Sequence, residues 1–172
     1  IRTLKKEGWE IGLHPSIDAW GSETKIREQK NRLEKVLEVA VENCRQHWLK
    51  FSWLKTWKIQ ESVGFKLDTT LGFNDRPGFR NGTASLFHPW DWRHKKALKI
   101  AAIPMVLMDS HLHNRKNLNL QERQKELGLW INEIYDVHGL ATIIWHQRTI
   151  SRDYRWYQEY EYLLSLLKKA NK

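Results

Sequence analysis

Three short apolar runs in this chain each carry a histidine, at residues 9–14, 44–49 and 141–146. The histidines are His14, His47 and His146. Short runs rich in Ile, Leu, Trp or Thr are typical of buried strands. The carboxyl ends of parallel strands meet at one edge of a sheet, where α/β proteins build their sites. Because an imidazole can ligate a metal ion or transfer a proton near neutral pH, these histidines are candidates for a site at that edge.

Charged side chains accompany the histidines at other predicted strand ends. Arg45 precedes His47 by two positions, so both would point to the same face of a strand. An arginine beside a metal site commonly pairs with a carboxylate and holds it ionised. Asp68 and Asp109 end two further predicted strands, where a carboxylate can orient a histidine by accepting its ring proton. Each of these residues also has a structural alternative, as a cap, a turn residue or a member of an ordinary ion pair.

Strand and helix patterns alternate along the chain and would place these residues at one sheet edge. We predict strands at 9–14, 44–49, 65–68, 103–109 and 140–145, and helices at 22–41, 53–63, 119–138 and 153–170. Ser22 is a typical N-cap, and Gly64 and Gly139 follow the ends of two helices. The alternation predicts an α/β fold with a mainly parallel sheet and outer helices, in a single domain over residues 1–172.

Residues 72–95 form the longest predicted loop. A loop of this length in a compact domain is commonly functional or disordered. Its aromatic residues argue against disorder. The chain contains ten tryptophans, and a tryptophan at the rim of a site offers a flat apolar face that suits a sugar ring.

Composition narrows the class of protein. The chain has 172 residues, of which 41% are hydrophobic, enough for one buried core. The single cysteine, Cys44, excludes an internal disulfide framework and a cysteine-based zinc site. The net charge of +9 is compatible with nucleic-acid binding. However, the basic residues alternate with acidic ones along the predicted helices, so we rank that function last.

The N-terminal segment gives no indication of targeting. Residues 1–8 are polar and lack the apolar core of a signal peptide, and no apolar run approaches the about 20 residues that span a bilayer. The segment is typical of the last turns of a helix that ends at Gly8. We therefore expect the natural protein to begin further upstream, which leaves its localisation and oligomeric state open.

Six motifs, in their order along the chain, resemble the polysaccharide deacetylase superfamily and more narrowly a bacterial branch of deacetylase-like proteins. The motifs are residues 10–16, 45–49, 64–73, 78–83, 103–109 and 142–146. They span nearly the whole chain. The resemblance implies a distorted (β/α)7 deacetylase-type barrel that is incomplete at its N-terminus. It also implies hydrolysis of N-acetyl or O-acetyl groups on sugars with a divalent metal, for which we expect zinc.

The resemblance assigns roles to individual positions. His14 matches the metal-ligand motif, and Arg45 matches the arginine that holds the catalytic base. Asp68 matches the strand-end aspartate of the next motif, and His146 matches the histidine that acts as general acid. His47 follows the Arg-Gln-His pattern of the bacterial branch, and its role as a metal ligand is our own inference.

This sequence departs from the superfamily pattern at two places. Asp18 stands where a second metal-binding histidine is expected, four residues after His14. The paired aspartates that supply the base and a metal ligand have no counterpart, and we expect them on a strand upstream of Ile1.

The sequence therefore predicts a metal-dependent hydrolase, acting on carbon–nitrogen bonds, that removes acetyl groups from a polysaccharide or sugar conjugate. Its predicted partner is an acetylated saccharide, held by Arg80, Trp90 and Asp109. Neither a nucleic acid nor a membrane span is expected. The alternative is a catalytically inactive carbohydrate-binding or scaffold domain of the same fold.

Overall fold

The computed structural model describes residues 1–114 and 118–170, which divide into two compact units. The first unit comprises Ile1–Leu71 and Leu86–Ile103. The second unit comprises Gly72–Ser85 and Pro104–Lys172. The expected organisation as a single domain over residues 1–172 stays a prediction.

The first unit contains a parallel three-stranded sheet, a separate antiparallel hairpin and three helices. Its elements are α1 (Arg2–Lys6), α2 (Glu23–Leu37), β1 (Asn43–Cys44), α3 (Thr56–Val63), β2 (Leu67–Asp68), β3 (Trp90–Asp91), β4 (Lys96–Ala97) and β5 (Ala101–Ala102). The sheet has the order β1-β2-β5, and β3 pairs with β4 in the hairpin. Single bridges add Leu13 beside Cys44 and Phe87 beside Ala102. The carboxyl ends of β1 and β2 therefore lie next to each other.

The second unit pairs two parallel strands and carries three helices. Its elements are β6 (Met105–Met108), α4 (Asp109–His113), α5 (Leu120–Asp136), β7 (Thr142–Ile144) and α6 (Tyr157–Ala170). Strands β6 and β7 are parallel, with Met108 opposite Ile144. Because β6 is buried on both faces, all four of its residues are apolar.

Local capping chemistry defines the ends of the main helices. The Ser22 side chain accepts a hydrogen bond from the Lys25 backbone N–H, as expected for an N-cap. Asn119 and Glu122 form a reciprocal capping box at the start of α5. Gly64 ends α3 with a φ of 92°, a conformation that favours glycine. The predicted N-terminus of α2 and C-terminus of α3 are thus confirmed.

Each unit has its own apolar core. In the first unit, Trp57 of α3 is 3% exposed and meets Phe51 and Phe87 edge to face. In the second unit, Val106 and Leu107 of β6 are fully buried. Burial of an apolar side chain of this size stabilises the folded state by about 1.5–3 kcal/mol. These contacts fix the strands whose ends carry the polar residues discussed below.

The predicted strand pattern needs correction at three places. Within residues 9–14 only Leu13 joins the sheet, through a single bridge. The run 44–49 is a strand only at its start, and His47–Leu49 forms a 3₁₀ turn in which Trp48 has a φ of 55°. The expectation that Arg45 and His47 share one strand face is therefore wrong. The predicted loop 72–95 contains β3 and is divided between the two units.

The observed architecture is mixed α/β. In the described ranges the strands form three separate sheets, of three, two and two strands, and none of these sheets closes into a barrel. The predicted (β/α)7 barrel is thus not confirmed, whereas the predicted α/β class is confirmed. No helix within residues 1–114 and 118–170 combines the length and the apolar character that crossing a bilayer requires.

Candidate active site

An aspartate–histidine pair lies at the ends of β6 and β7. The Oδ1 atom of Asp109 accepts a hydrogen bond from His146 Nδ1 at 2.7 Å and one from the Ser110 backbone N–H at 2.8 Å. The Oδ2 atom accepts bonds from the His146 backbone N–H at 2.9 Å and from Thr149 Oγ1 at 2.8 Å. Asp109 is fully buried, and these four donors fix its carboxylate.

The parallel pairing of β6 with β7 brings the two residues together. Since Met108 lies opposite Ile144, the chain leaves both strands at the same edge of the sheet. Asp109 is the first residue of α4, where the helix N-terminus favours a negative charge. His146 immediately precedes the 3₁₀ turn Gln147–Ile150, which supplies Thr149.

The pair has the arrangement of an acid–base histidine with its orienting carboxylate. The His146 side chain is 39% exposed, whereas that of Asp109 is fully buried. Because Nδ1 donates its proton to Asp109, Nε2 is the ring atom that can exchange a proton with a ligand. A buried carboxylate in this position holds the imidazole in one tautomer and stabilises its protonated form.

His14 and His47 lie side by side in the first unit. Their rings stack with centroids 4.8 Å apart and planes inclined by 23°. His14 Nδ1–H donates to the Arg45 carbonyl oxygen at 2.8 Å, which orients the ring so that Nε2 carries the lone pair. His14 is exposed and His47 is half-buried. The structure thus brings together the two predicted metal ligands.

Two imidazoles do not complete a catalytic zinc site, in which three protein ligands are usual. No group of three or more His, Cys, Asp or Glu side chains in the described ranges could hold a metal ion. Asp18 instead forms an ion pair with Lys25 at 2.5 Å. The hydrogen bond from Lys25 lowers the pKa of Asp18 from 3.8 to about 2. The residues present do not form a metal centre by themselves, and zinc binding stays a prediction.

Arg45 lies just after β1 and reaches toward the neighbouring end of β2. Its Nε donates to the backbone carbonyl and to Oγ1 of Thr69, both at 3.0 Å. Burial lowers the pKa of Arg45, and the charge of Asp68 opposes this effect. No ion pair joins Arg45 to a carboxylate in the part of the chain that the structure describes. Its role in holding a catalytic base stays a prediction.

Asp68 is fully buried at the end of β2 and serves as an anchor. Its carboxylate accepts hydrogen bonds from Trp57 Nε1 at 3.0 Å and Gln60 Nε2 at 2.7 Å, both on α3. The backbone N–H of Thr70 donates at 3.1 Å, and its hydroxyl donates to the other oxygen. Burial raises the pKa of Asp68, although these hydrogen bonds oppose the rise. The carboxylate ties α3 to β2, and its catalytic role, taken from the resemblance, remains a prediction.

The three predicted substrate-binding residues have different surroundings. Arg80 of the second unit is half-buried, with Nη1 3.4 Å from the Gly72 carbonyl oxygen. Trp90 lies on β3 of the first unit and is 48% exposed. Asp109 is fully buried, so its carboxylate is placed to orient His146 and not to contact a saccharide directly.

Two contributors to these polar clusters were not identified from the sequence. Gln60 binds Asp68 from α3, and its position in an amphipathic helix gives no indication of this contact. Thr149 Oγ1 lies 2.8 Å from Asp109 Oδ2 and 2.7 Å from the His146 carbonyl oxygen, and its single hydroxyl proton can be donated to either acceptor. Its spacing of three residues from His146, about one turn, is the signal from which it could have been found.

Comparison with solved structures shows a similarity of fold. The solved structure of a protein named "putative polysaccharide deacetylase", from Mycobacterium smegmatis, matches this chain with a TM-score of 0.65 and 18% sequence identity. The two proteins share a fold. The match covers 96% of this chain and 59% of that protein's chain, so this chain spans less than two thirds of its length. No protein-family model and no curated protein matches the sequence.

This similarity confirms, at the level of the fold, the resemblance to polysaccharide deacetylases that the motifs predicted. At 18% identity it carries no residue roles. The chemistry must therefore be argued from the side chains of this chain.

Proposed function

We propose that this chain belongs to a hydrolase that removes acetyl groups from a polysaccharide or sugar conjugate. The observation that carries the proposal is the pair of buried Asp109 and part-exposed His146, joined at 2.7 Å. It occurs in a chain whose fold is similar to that of a protein named as a polysaccharide deacetylase. An acetylated saccharide is accordingly the proposed substrate.

His146 acts as the general acid in this proposal. As the bond between the acetyl carbon and the leaving nitrogen or oxygen breaks, the imidazolium donates its Nε2 proton to the leaving atom. The ring becomes neutral and keeps the Nδ1 proton that it shares with Asp109. Water loses a proton to the carboxylate base that Arg45 is proposed to hold and adds to the acetyl carbon, so that acetate and the free amine or hydroxyl group are the products.

The remaining predicted residues complete the proposal. His14 and His47 are proposed metal ligands because their imidazoles are adjacent, and zinc remains the proposed ion. Arg45 is proposed to hold a carboxylate base, and Arg80 and Trp90 to contact the saccharide. No step is derived through the metal, since the described part of the chain supplies no group of three ligands.

The alternative is a carbohydrate-binding domain without turnover. It is favoured by exposed aromatic surface in the first unit, where Trp90 is 48% and Trp92 is 74% exposed. Such faces bind sugar rings without any chemical step. Saccharide binding with no release of acetate would support it.

The test measures acetate release from acetylated chitooligosaccharides and acetylated xylan, with matched His→Asn substitutions. His146→Asn removes the proposed acid and should lower kcat by about 10²–10⁴-fold. His138→Asn makes the same chemical change on an exposed residue with a φ of 49°, a conformation that asparagine tolerates. We expect its kcat to equal that of the unaltered chain.

Two outcomes would contradict the proposal. One is acetate release that His146→Asn leaves unchanged, which would remove the acid role. The other is saccharide binding without acetate release at any metal supplement, including zinc, which would favour the non-catalytic alternative.

A further inference from the structure

A β-hairpin of the first unit presents exposed tryptophans and cations along its strands and turn. We call residues 90–97, from Trp90 to Ala97, the Trp–Lys hairpin. Trp92 is 74% exposed and Trp90 is 48% exposed. Arg93, Lys95 and Lys96 are also exposed. An exposed aromatic pair interleaved with cations is unusual for a solvated loop, which ordinarily presents small polar residues.

A buried aspartate holds the hairpin in place. Asp91 Oδ1 forms an ion pair with Lys58 Nζ of α3 at 2.5 Å and accepts a bond from the Arg93 backbone N–H at 3.0 Å. Its Oδ2 accepts a bond from His94 Nδ1 at 2.6 Å. The hairpin tip is thereby anchored both to α3 and to its own turn. Anchoring reduces the entropy that a ligand would have to remove on binding.

The same contacts leave the tip positively charged. The hydrogen bonds from Lys58 and His94 hold the pKa of Asp91 well below its usual range, so its carboxylate is ionised and compensated. Its side chain is only 4% exposed, and the charge is directed inward. The charges that face solvent from the hairpin are therefore those of Arg93, Lys95 and Lys96.

We propose that the Trp–Lys hairpin binds an anionic polysaccharide. The indole faces of Trp90 and Trp92 suit the C–H faces of pyranose rings, and the three cations suit carboxylate groups along a glycan. Charge complementarity selects an anionic chain, and the choice of a glycan over another polyanion rests on the proposed function. The inference extends the saccharide contact proposed for Trp90 to the whole hairpin and adds a substrate class, an acidic polysaccharide.

The experiment measures the affinity of the full chain for polygalacturonate by isothermal titration calorimetry across a salt series. Trp92→Ala should raise Kd about three- to tenfold through the lost aromatic contact. The double change of Lys95→Gln with Lys96→Gln should lower the slope of log Kd against log salt concentration by about 1.5.

Matched control variants remove the same side-chain groups outside the hairpin. They are Trp9→Ala, at an exposed tryptophan, and the double change Lys5→Gln with Lys6→Gln on α1. We expect these controls to bind like the unaltered chain.

Several outcomes overturn the proposal. These are no binding at low salt, equal affinity for a neutral cello-oligosaccharide, and equal loss in the control variants. Tighter binding of single-stranded poly(U) would overturn it in favour of a nucleic-acid surface.

Acetate release is measured separately on short, neutral acetylated chitooligosaccharides. Polygalacturonate binding without acetate release would therefore contradict the proposed function alone. Acetate release without polygalacturonate binding would contradict the proposed role of the Trp–Lys hairpin alone.

Discussion

Replacing Asp109 by asparagine should weaken the folded state and the acid–base pair together. The carboxylate accepts four hydrogen bonds, two on each oxygen. An amide group keeps one accepting oxygen and presents an NH₂ donor in place of the other. If the NH₂ group replaces Oδ2, the His146 backbone N–H loses its acceptor, and Thr149 must turn its hydroxyl. If it replaces Oδ1, the Ser110 N–H loses its acceptor and His146 must change tautomer.

The magnitude follows from these contacts. A hydrogen bond to a charged group contributes about 1.5–3 kcal/mol, and a buried donor left without an acceptor costs about 1–3 kcal/mol. Either orientation of the amide loses one such bond and weakens the others, so we expect Asp109→Asn to lower the free energy of unfolding by about 3 kcal/mol. For a chain of this length, 1 kcal/mol corresponds to about 2–4 °C, which predicts a fall in Tm of about 6–12 °C.

Urea unfolding and thermal unfolding are the assays, and Asp136→Asn is the matched control. Asp136 is exposed at the end of α5, where an isosteric surface change is expected to stay within about 0.5 kcal/mol. The reasoning is refuted if Asp109→Asn unfolds at the same urea concentration as Asp136→Asn. Under the proposed function, Asp109→Asn should also lower kcat for acetate release by about 10²–10⁴-fold, because His146 loses its orienting partner.

Two further predictions concern other buried carboxylates. Burial raises the pKa of Asp68 above its ordinary value of 3.8, so the folded state binds its proton more tightly than the unfolded state. The contribution of Asp68 to the free energy of unfolding should therefore fall as pH rises from 3.8 through its folded-state pKa. Urea unfolding of Asp68→Asn across that range should remove this contribution from the pH dependence, and a pH dependence equal to that of the unaltered chain would exclude it. Arg123 Nε contacts the fully buried Glu159 at 2.5 Å, and His113 Nε2 lies 3.7 Å from its other oxygen. Arg123→Leu should cost about 3–5 kcal/mol in urea unfolding, because it leaves the buried carboxylate with this longer contact to His113 as its remaining ion pair in the described residues. Adding Glu159→Leu should recover most of that loss, and a double variant as unstable as the single one would contradict this account.

The helices show how far local sequence determines the fold. Ser22, Gly64 and Asn119 mark helix ends at or next to the predicted positions, because caps depend on neighbouring residues along the chain. The strands were predicted less well. Short apolar runs such as 9–14 and 44–49 meet the pattern of a buried strand, but pairing across the sheet decides how many of their residues join it.

The candidate site was likewise predicted from the sequence only in part. The sequence identified His146 and Asp109 as polar residues near strand ends, and it also indicated that a carboxylate could orient a histidine. It could not pair them, because the two residues are 37 positions apart and meet only through the register of β6 with β7. The prediction that Arg45 and His47 share one strand face was wrong, since β1 ends at Cys44 and His47 begins a 3₁₀ turn in which Trp48 has a left-handed backbone.

The sequence by itself determined the capped helix ends at Ser22, Gly64 and Asn119, the α/β class and the residue types available for chemistry, because these depend on local spacing and composition. Only the tertiary structure decided which carboxylate serves which partner. Asp68 anchors α3, Asp91 anchors the Trp–Lys hairpin and Asp109 orients His146. Each of these aspartates ends or directly follows a strand of the structure, and its own set of donors distinguishes it from the others. Burial and donor geometry arise from packing between distant segments, which local spacing does not specify.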